Sequence, residues 1–74
     1  MFSKRIRILR DERNLTQAQV AKKVGLSTRG YQDLELGAIP RGDRLLAIAE
    51  FYGVSMDWLM GRTDAREINR GTAR

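Results

Sequence analysis

The stretch that most constrains this chain is TQAQVAKKVGLSTRGYQDLE, residues 16–35. Thr16 and Gln19 have the spacing of a capping box, in which each side chain bonds the other residue's backbone N–H at the start of a helix. Gly25 is suited to the left-handed conformation that ends a helix, and Ser27 is a good N-cap for the next one. The stretch therefore predicts two short helices separated by a tight turn, a helix–turn–helix.

Helical spacing of apolar residues continues on both sides of this stretch. We predict an all-α fold, a compact five-helix domain whose helices two and three form the helix–turn–helix. The expected helices are Ser3 (as N-cap) to Arg13, Gln17 to Val24, Thr28 to Leu36, Gly42 to Tyr52, and a short fifth helix capped by Ser55.

Length and charge limit the possible partners. The 74 residues suffice for one domain, and their net charge of +5 favours a polyanionic partner. A membrane surface is the competing polyanion, but no apolar run approaches the roughly 18 residues that span a bilayer. No signal-peptide pattern opens the chain and cysteine is absent. We therefore expect a cytoplasmic protein with no membrane partner.

Catalysis is not expected. The chain has neither histidine nor cysteine, which removes the usual metal ligands and most general bases. Phosphate loops, dinucleotide fingerprints and nucleophile elbows are also missing. The nine carboxylates are scattered and mostly explained as helix-surface or capping charges. We expect no enzyme activity, metal, cofactor or small-molecule substrate.

Four segments in order carry a family resemblance: RILR in the first helix, LTQAQVAKKVGLS through the turn, DLELG, and GVSMDWLMG. Across about residues 4–61 the chain resembles the DNA-binding domain of the Cro and repressor-type (XRE-like) transcription regulators, especially those of lambdoid phages. The resemblance implies sequence-specific binding of a double-stranded DNA operator. It further implies a transcriptional repressor or a related phage-type switch protein.

Helix three is the recognition element by this resemblance, and its first outward residues would contact base edges in the major groove. Arg29 has the planar fork that matches guanine O6 and N7. Thr28 can bond a base or touch a thymine methyl group, and Gln32 can pair with adenine. Asp33 would accept from cytosine N4 or be held by a neighbour such as Arg29. The alternative for all four residues is an ordinary polar solvent face.

Phosphate contacts are expected around this helix. The resemblance places Gln17 on a phosphate at the first turn of helix two, where backbone N–H groups favour anions. The same resemblance pairs Arg10 with Glu35, which would tie helix one to helix three; the alternative is two separate exposed charges. Arg10 is also counted as a candidate phosphate contact. Arg41 and Arg44 are further candidates, although Asp43 beside Arg44 could alone explain a cation there.

The chain departs from its relatives after helix three. Leu36 and Ala38 are apolar at positions where the family often has Lys, Arg or Asn. The neighbouring Ile39 either folds inward or is exposed. This cluster supports a different function, a protein-interaction module of the antitoxin or anti-repressor type. A third hypothesis, a DNA-binding subunit that guides an enzyme, has the same sequence pattern.

One copy offers few DNA contacts, so we expect a homodimer on a pseudo-palindromic operator. Met56 and Leu59 resemble the positions through which phage repressor domains meet their two-fold mates. The alternative is that they form a lid over the core.

The remaining basic residues are expected to be solvated. Arg5, Arg7 and Arg13 are most simply a solvated face of helix one. We divide the chain into a domain, residues 1–61, and a basic, flexible tail, residues 62–74. Within that tail, arginines recur every four residues from Arg62, which would line them along one side if the tail were helical.

Overall fold

The computed structural model describes residues 1–66, and its regular elements are helices, as the sequence predicts. They are α1 (Phe2–Glu12), α2 (Gln17–Val24), α3 (Thr28–Glu35), α4 (Gly42–Tyr52) and α5 (Met56–Leu59). Within these described residues, no helix is both long enough and apolar enough to cross a membrane.

The first helix begins earlier than predicted. Ser3 is not its N-cap: α1 starts at Phe2, with Met1 at the cap position and no side-chain hydrogen bond there. Burial explains the difference, because Phe2, Ile6 and Leu9 together form the inward side of α1. Packing of Phe2 therefore determines the start of this helix. The helix ends as expected before Asn14, whose φ of 55° lies in the left-handed region.

The capping signals of the turn are confirmed. The Thr16 hydroxyl accepts from the Gln19 backbone N–H at 3.1 Å, and the Gln19 side chain accepts from the Thr16 N–H at 2.8 Å. Gly25 has a φ of 78°, and the Ser27 hydroxyl accepts from the Gly30 N–H at 3.0 Å. A Cβ on Gly30 would lie 3.1 Å from that hydroxyl. A side chain at position 30 would therefore crowd the Ser27 cap, which is a reason within the protein for a glycine here.

One core joins all five helices. Helices α2 and α3 pack closely against each other, α1 packs on α3 and α5, and α4 packs on α2 and α5. The buried apolar residues are Phe2, Ile6, Leu9, Val20, Ala21, Val24, Tyr31, Leu34, Ile48, Ala49, Tyr52, Val54, Trp58 and Leu59.

Residues 62–66 contact the helices rather than extending away from them. The Arg66 carbonyl accepts from the Ser55 N–H at 2.9 Å, and the Arg66 guanidinium bonds both carboxylate oxygens of Glu12 at 3.0 and 2.8 Å. Two cations lie over the Trp58 ring, with Arg5 4.6 Å and Arg66 4.9 Å from its centroid. This segment thus links the end of α1 to α5. The arginines at 70 and 74 lie outside the described residues.

Candidate nucleic-acid interface

The outward side of α3 carries the residues that the sequence predicts for base contact. Thr28, Arg29 and Asp33 are exposed and Gln32 is half-buried, whereas Tyr31 and Leu34 on the opposite side are buried. The structure therefore brings the four candidates together on one helix face. The Ser27 cap and the buried Tyr31 fix the start and rotation of this helix.

Asp33 is positioned to orient Arg29. The Arg29 Nε lies 3.3 Å from Asp33 Oδ1, an exposed pair one helical turn apart. Such a pair contributes only about 0.3–0.5 kcal/mol to stability. Its geometry matters more, because it uses Nε and leaves the two terminal nitrogens of the guanidinium available for an external acceptor. The pair with Arg29 therefore accounts for Asp33 on this face, and no contact between Asp33 and a base is needed.

A chain of hydrogen bonds anchors α3 to α2 and α1. Gln32 Nε2 donates to Gln17 Oε1 at 3.1 Å, and Gln17 Nε2 donates to Glu35 Oε1 at 3.0 Å. Arg10 closes the chain, its Nε and Nη2 donating to the two Glu35 oxygens at 2.7 and 3.0 Å. The structure thus brings Arg10 and Glu35 together. It also joins two predicted DNA-contacting glutamines, a pairing that the sequence does not indicate.

Glu35 is buried yet charged. It is the one buried charged residue among the described residues, 4% exposed. Burial raises the pKa of its carboxyl, but hydrogen bonds from Arg10 and from neighbouring donors outweigh burial, so the pKa lies below its ordinary value. The carboxylate therefore stays ionised near neutral pH and holds three elements together.

Lowering the pH below about 4.5, the ordinary pKa of a glutamate, should destabilise the domain through Glu35. Above that value the carboxyl is ionised in both states and its hydrogen bonds contribute fully. Below pH 4.5 the unfolded chain binds a proton at Glu35 before the folded chain does. The free energy of unfolding therefore decreases as the pH is lowered, until the pH is below the pKa of Glu35 in the folded state. Urea denaturation at a series of pH values measures this slope. Glu35→Gln should flatten it as the pH falls below about 4.5, and an unchanged slope would contradict the assignment.

The candidate phosphate contacts have partners within the protein. Arg10 Nη1 also donates to the Leu15 carbonyl at 3.1 Å, so each of its three nitrogens has a bond, and a phosphate role for it stays a prediction. Arg41 pairs with Asp43 at 3.2 Å. Arg44 donates to the Gly25 carbonyl at 3.1 Å, which places it at the turn between α2 and α3.

The apolar segment after α3 points into solvent. Leu36 is 81% and Ile39 86% exposed, and Ala38 is exposed as well. Of the two alternatives for Ile39, the exposed one is therefore correct. Gly37, with a φ of 116°, and a bond from the Ala38 N–H to the Asp33 carbonyl at 2.9 Å end the helix in a Schellman motif.

One predicted dimer residue needs correction. Leu59 is 0% exposed and belongs to the core, whereas Met56 is 39% exposed. A side chain without accessible surface cannot contact a second subunit in this conformation. Leu59 is therefore a core residue, as the alternative lid interpretation allows, and Met56 alone stays a predicted dimer contact.

The prediction of a solvated arginine face on α1 is wrong for Arg5, whose side chain is 12% exposed, whereas Arg7 and Arg13 are exposed but also hydrogen-bonded to backbone carbonyls. Arg13 Nη2 donates to the Tyr52 carbonyl at 2.8 Å, satisfying the end of α4. Arg5 donates to the carbonyls of Trp58 and Thr63. Arg7 is half-exposed but donates to the Glu35 carbonyl at 3.2 Å. The available signal was the unpaired carbonyls at helix ends, which require donors from elsewhere in the chain.

Comparisons with known proteins agree with this geometry. A family model described as Helix-turn-helix matches residues 6–59. An uncharacterized HTH-type transcriptional regulator of Bacillus subtilis (strain 168), YobD, is 37% identical over 65 residues, 86% of this chain and 58% of its own length. The cryptic phage CTXphi transcriptional repressor RstR of Vibrio cholerae is 37% identical over 65 residues, 86% of this chain and 59% of its own length.

A solved structure extends the likeness to three dimensions. The P22 c2 repressor protein, crystallised in complex with synthetic operator 9T, superposes with a TM-score of 0.80 at 30% identity, covering 85% of this chain and 97% of that one. The chain spans about three-fifths of the length of the two curated relatives above. On the family match and the shared fold, the chain belongs to the helix-turn-helix family.

Proposed function

We propose that this chain binds double-stranded DNA sequence-specifically and regulates transcription as a repressor. The observation that carries the proposal is the outward face of α3, where exposed Thr28 and Arg29 stand on a helix held by the Gln32–Gln17–Glu35–Arg10 hydrogen bonds. A fixed helix with an exposed hydrogen-bonding face is what base reading in the major groove requires. The regulator and repressor names of its relatives support the same function.

Base reading centres on Arg29. Its terminal nitrogens would donate to guanine O6 and N7 while Asp33 accepts from Nε, so both bonds act on one guanidinium. Thr28, one residue earlier, would contact the neighbouring base pair. Gln32 donates one amide hydrogen to Gln17 and keeps the other, together with its oxygen, for an adenine edge.

Phosphate binding surrounds this centre. Gln17 occupies the first turn of α2, where backbone N–H groups are unpaired within the helix and favour an anion. Arg41 and Arg44 lie at the start of α4, and Arg44 is next to the turn of the helix–turn–helix. Neutralising these phosphates makes affinity fall as salt rises.

The operator would be pseudo-palindromic and bound by a dimer, with half-site centres about 34–36 Å apart. Repression would follow from occupying a promoter and blocking polymerase. Selection from randomised DNA duplexes at near-physiological salt tests the proposal directly. We expect a two-fold motif, and failure to enrich any motif with folded protein would overturn the function.

Arg29→Ala should cost about 1–3 kcal/mol of binding free energy on the selected duplex and relax preference at one base pair. The reason is the loss of a bidentate contact, not of phosphate attraction. Arg41→Ala is the matched control, since it should weaken all sequences equally and reduce the salt dependence. Titration of both variants against the selected duplex and its single-base changes measures the difference. Uniform weakening by Arg29→Ala would contradict direct reading.

A further inference from the structure

Leu36 extends the outward face of α3 by one turn. It lies seven residues after Arg29 and four after Gln32, and an α-helix brings residues at these spacings to one side. Its φ of −89° and ψ of −1° keep it in the right-handed helical region. The face that begins with polar Thr28 and Arg29 therefore ends in a leucine that is 81% exposed.

Ile39 enlarges this apolar end. The Schellman motif around Gly37 turns the chain sharply after Leu36 and fixes the following residues through the Ala38–Asp33 bond. Leu36 and Ile39 are the two most exposed large apolar side chains among the described residues, the others ranging from 38% to 67%. Apolar surface this exposed gains free energy when a partner covers it.

Basic residues flank the pair. Arg7 donates to the carbonyl of Glu35, the residue before Leu36, and so lies next to this end of α3. Arg41 follows Ile39 by two residues, and its side chain is 78% exposed. A partner that fits must be anionic at its edges and apolar at its centre. Duplex DNA meets both conditions, because its phosphates border a major groove in which thymine presents a C5-methyl group.

We propose that Leu36 and Ile39 recognise thymine methyl groups in the major groove, adjoining the bases read by Thr28 and Arg29. The inference rests on the proposed function and deepens it by assigning specificity to side chains that form no hydrogen bond. Discrimination comes from apolar contact, so these positions favour thymine over cytosine on the contacted strand. Leu36, which stands where the family often has Lys, Arg or Asn, thereby adds sequence preference.

The test replaces single thymines of the selected duplex with deoxyuridine, which removes only the methyl group and preserves base pairing. At one or two positions we expect about a four-fold weaker affinity for the unaltered protein, the value of one buried methyl group. Leu36→Ala or Ile39→Ala should bind the thymine duplex more weakly and lose most of this sensitivity. Both residues are exposed, so neither change should alter folding, which circular dichroism checks.

Leu46→Ala is the matched control, because Leu46 is an exposed leucine of α4. It should keep the full response to deoxyuridine. The inference would be overturned if deoxyuridine weakened binding equally for the unaltered protein and for the Leu36→Ala and Ile39→Ala variants. It would also be overturned if deoxyuridine weakened binding at no position. The inference would also be overturned if the Leu36→Ala variant bound DNA as tightly as the unaltered protein but no longer bound a protein partner. Failure of the unaltered protein to select any duplex would instead reject the proposed function.

Discussion

Arg10→Ala is expected to lower the free energy of unfolding by about 3 kcal/mol or more, since removing one member of a buried ion pair typically costs about 3–5 kcal/mol. The change would leave the Glu35 carboxylate, 4% exposed, without its bidentate partner. Small domains have only about 5–15 kcal/mol in total. The variant should therefore unfold at a markedly lower temperature, as thermal denaturation followed by circular dichroism would measure.

Two comparison variants separate the ion pair from general loss of charge. Arg7→Ala removes a half-exposed arginine that lies 3.8 Å from the same carboxylate and should cost less than about 1 kcal/mol. The double change Arg10→Met with Glu35→Met removes both charges and should recover much of the stability. If Arg10→Ala costs no more than Arg7→Ala, the pair behaves as a surface ion pair.

Leu59→Ala is expected to cost about 2–5 kcal/mol of unfolding free energy, the usual range for truncating a buried leucine. Leu59 has no accessible surface within the folded monomer. The loss should therefore be the same at high and low protein concentration, which urea denaturation at two concentrations would measure.

Met56→Ala is the matched control from the same short helix, and its half-exposed side chain should leave unfolding nearly unchanged. It also tests the remaining dimer prediction, because sedimentation with DNA should show weaker pairing of subunits. A Leu59→Ala variant that unfolds normally but fails to dimerise would show that Leu59 belongs to an interface.

The helix–turn–helix itself could be predicted because its signals are local. The Thr16–Gln19 box, the left-handed Gly25 and the Ser27 cap each act within four residues. Such interactions are readable from sequence alone, and the bounds of α2 and α4 match the prediction. The start of α1 failed because it depends on Phe2 entering a core formed by distant helices.

The hydrogen bonds behind α3 could be predicted only in part. Arg10 and Glu35 are 25 residues apart, so no local pattern joins them and the family resemblance supplied the pair. The resemblance places Gln17 on a phosphate and predicts no bond within the protein, because its bonds to Gln32 and Glu35 depend on how α2 and α3 cross. Arg66 shows the same limit, since its carboxylate partner, Glu12, is 54 residues away.

The contacts of Trp58 with Arg5 and Arg66 provide an optical probe of the domain. Trp58 is the chain's one tryptophan, so its fluorescence arises from a single site in α5. That site contacts α1 and residues 62–66, and Trp58 is not one of the residues on the outward face of α3. Its emission should therefore report release of residues 62–66 and unfolding of the core, while DNA binding is followed by a separate label on the duplex.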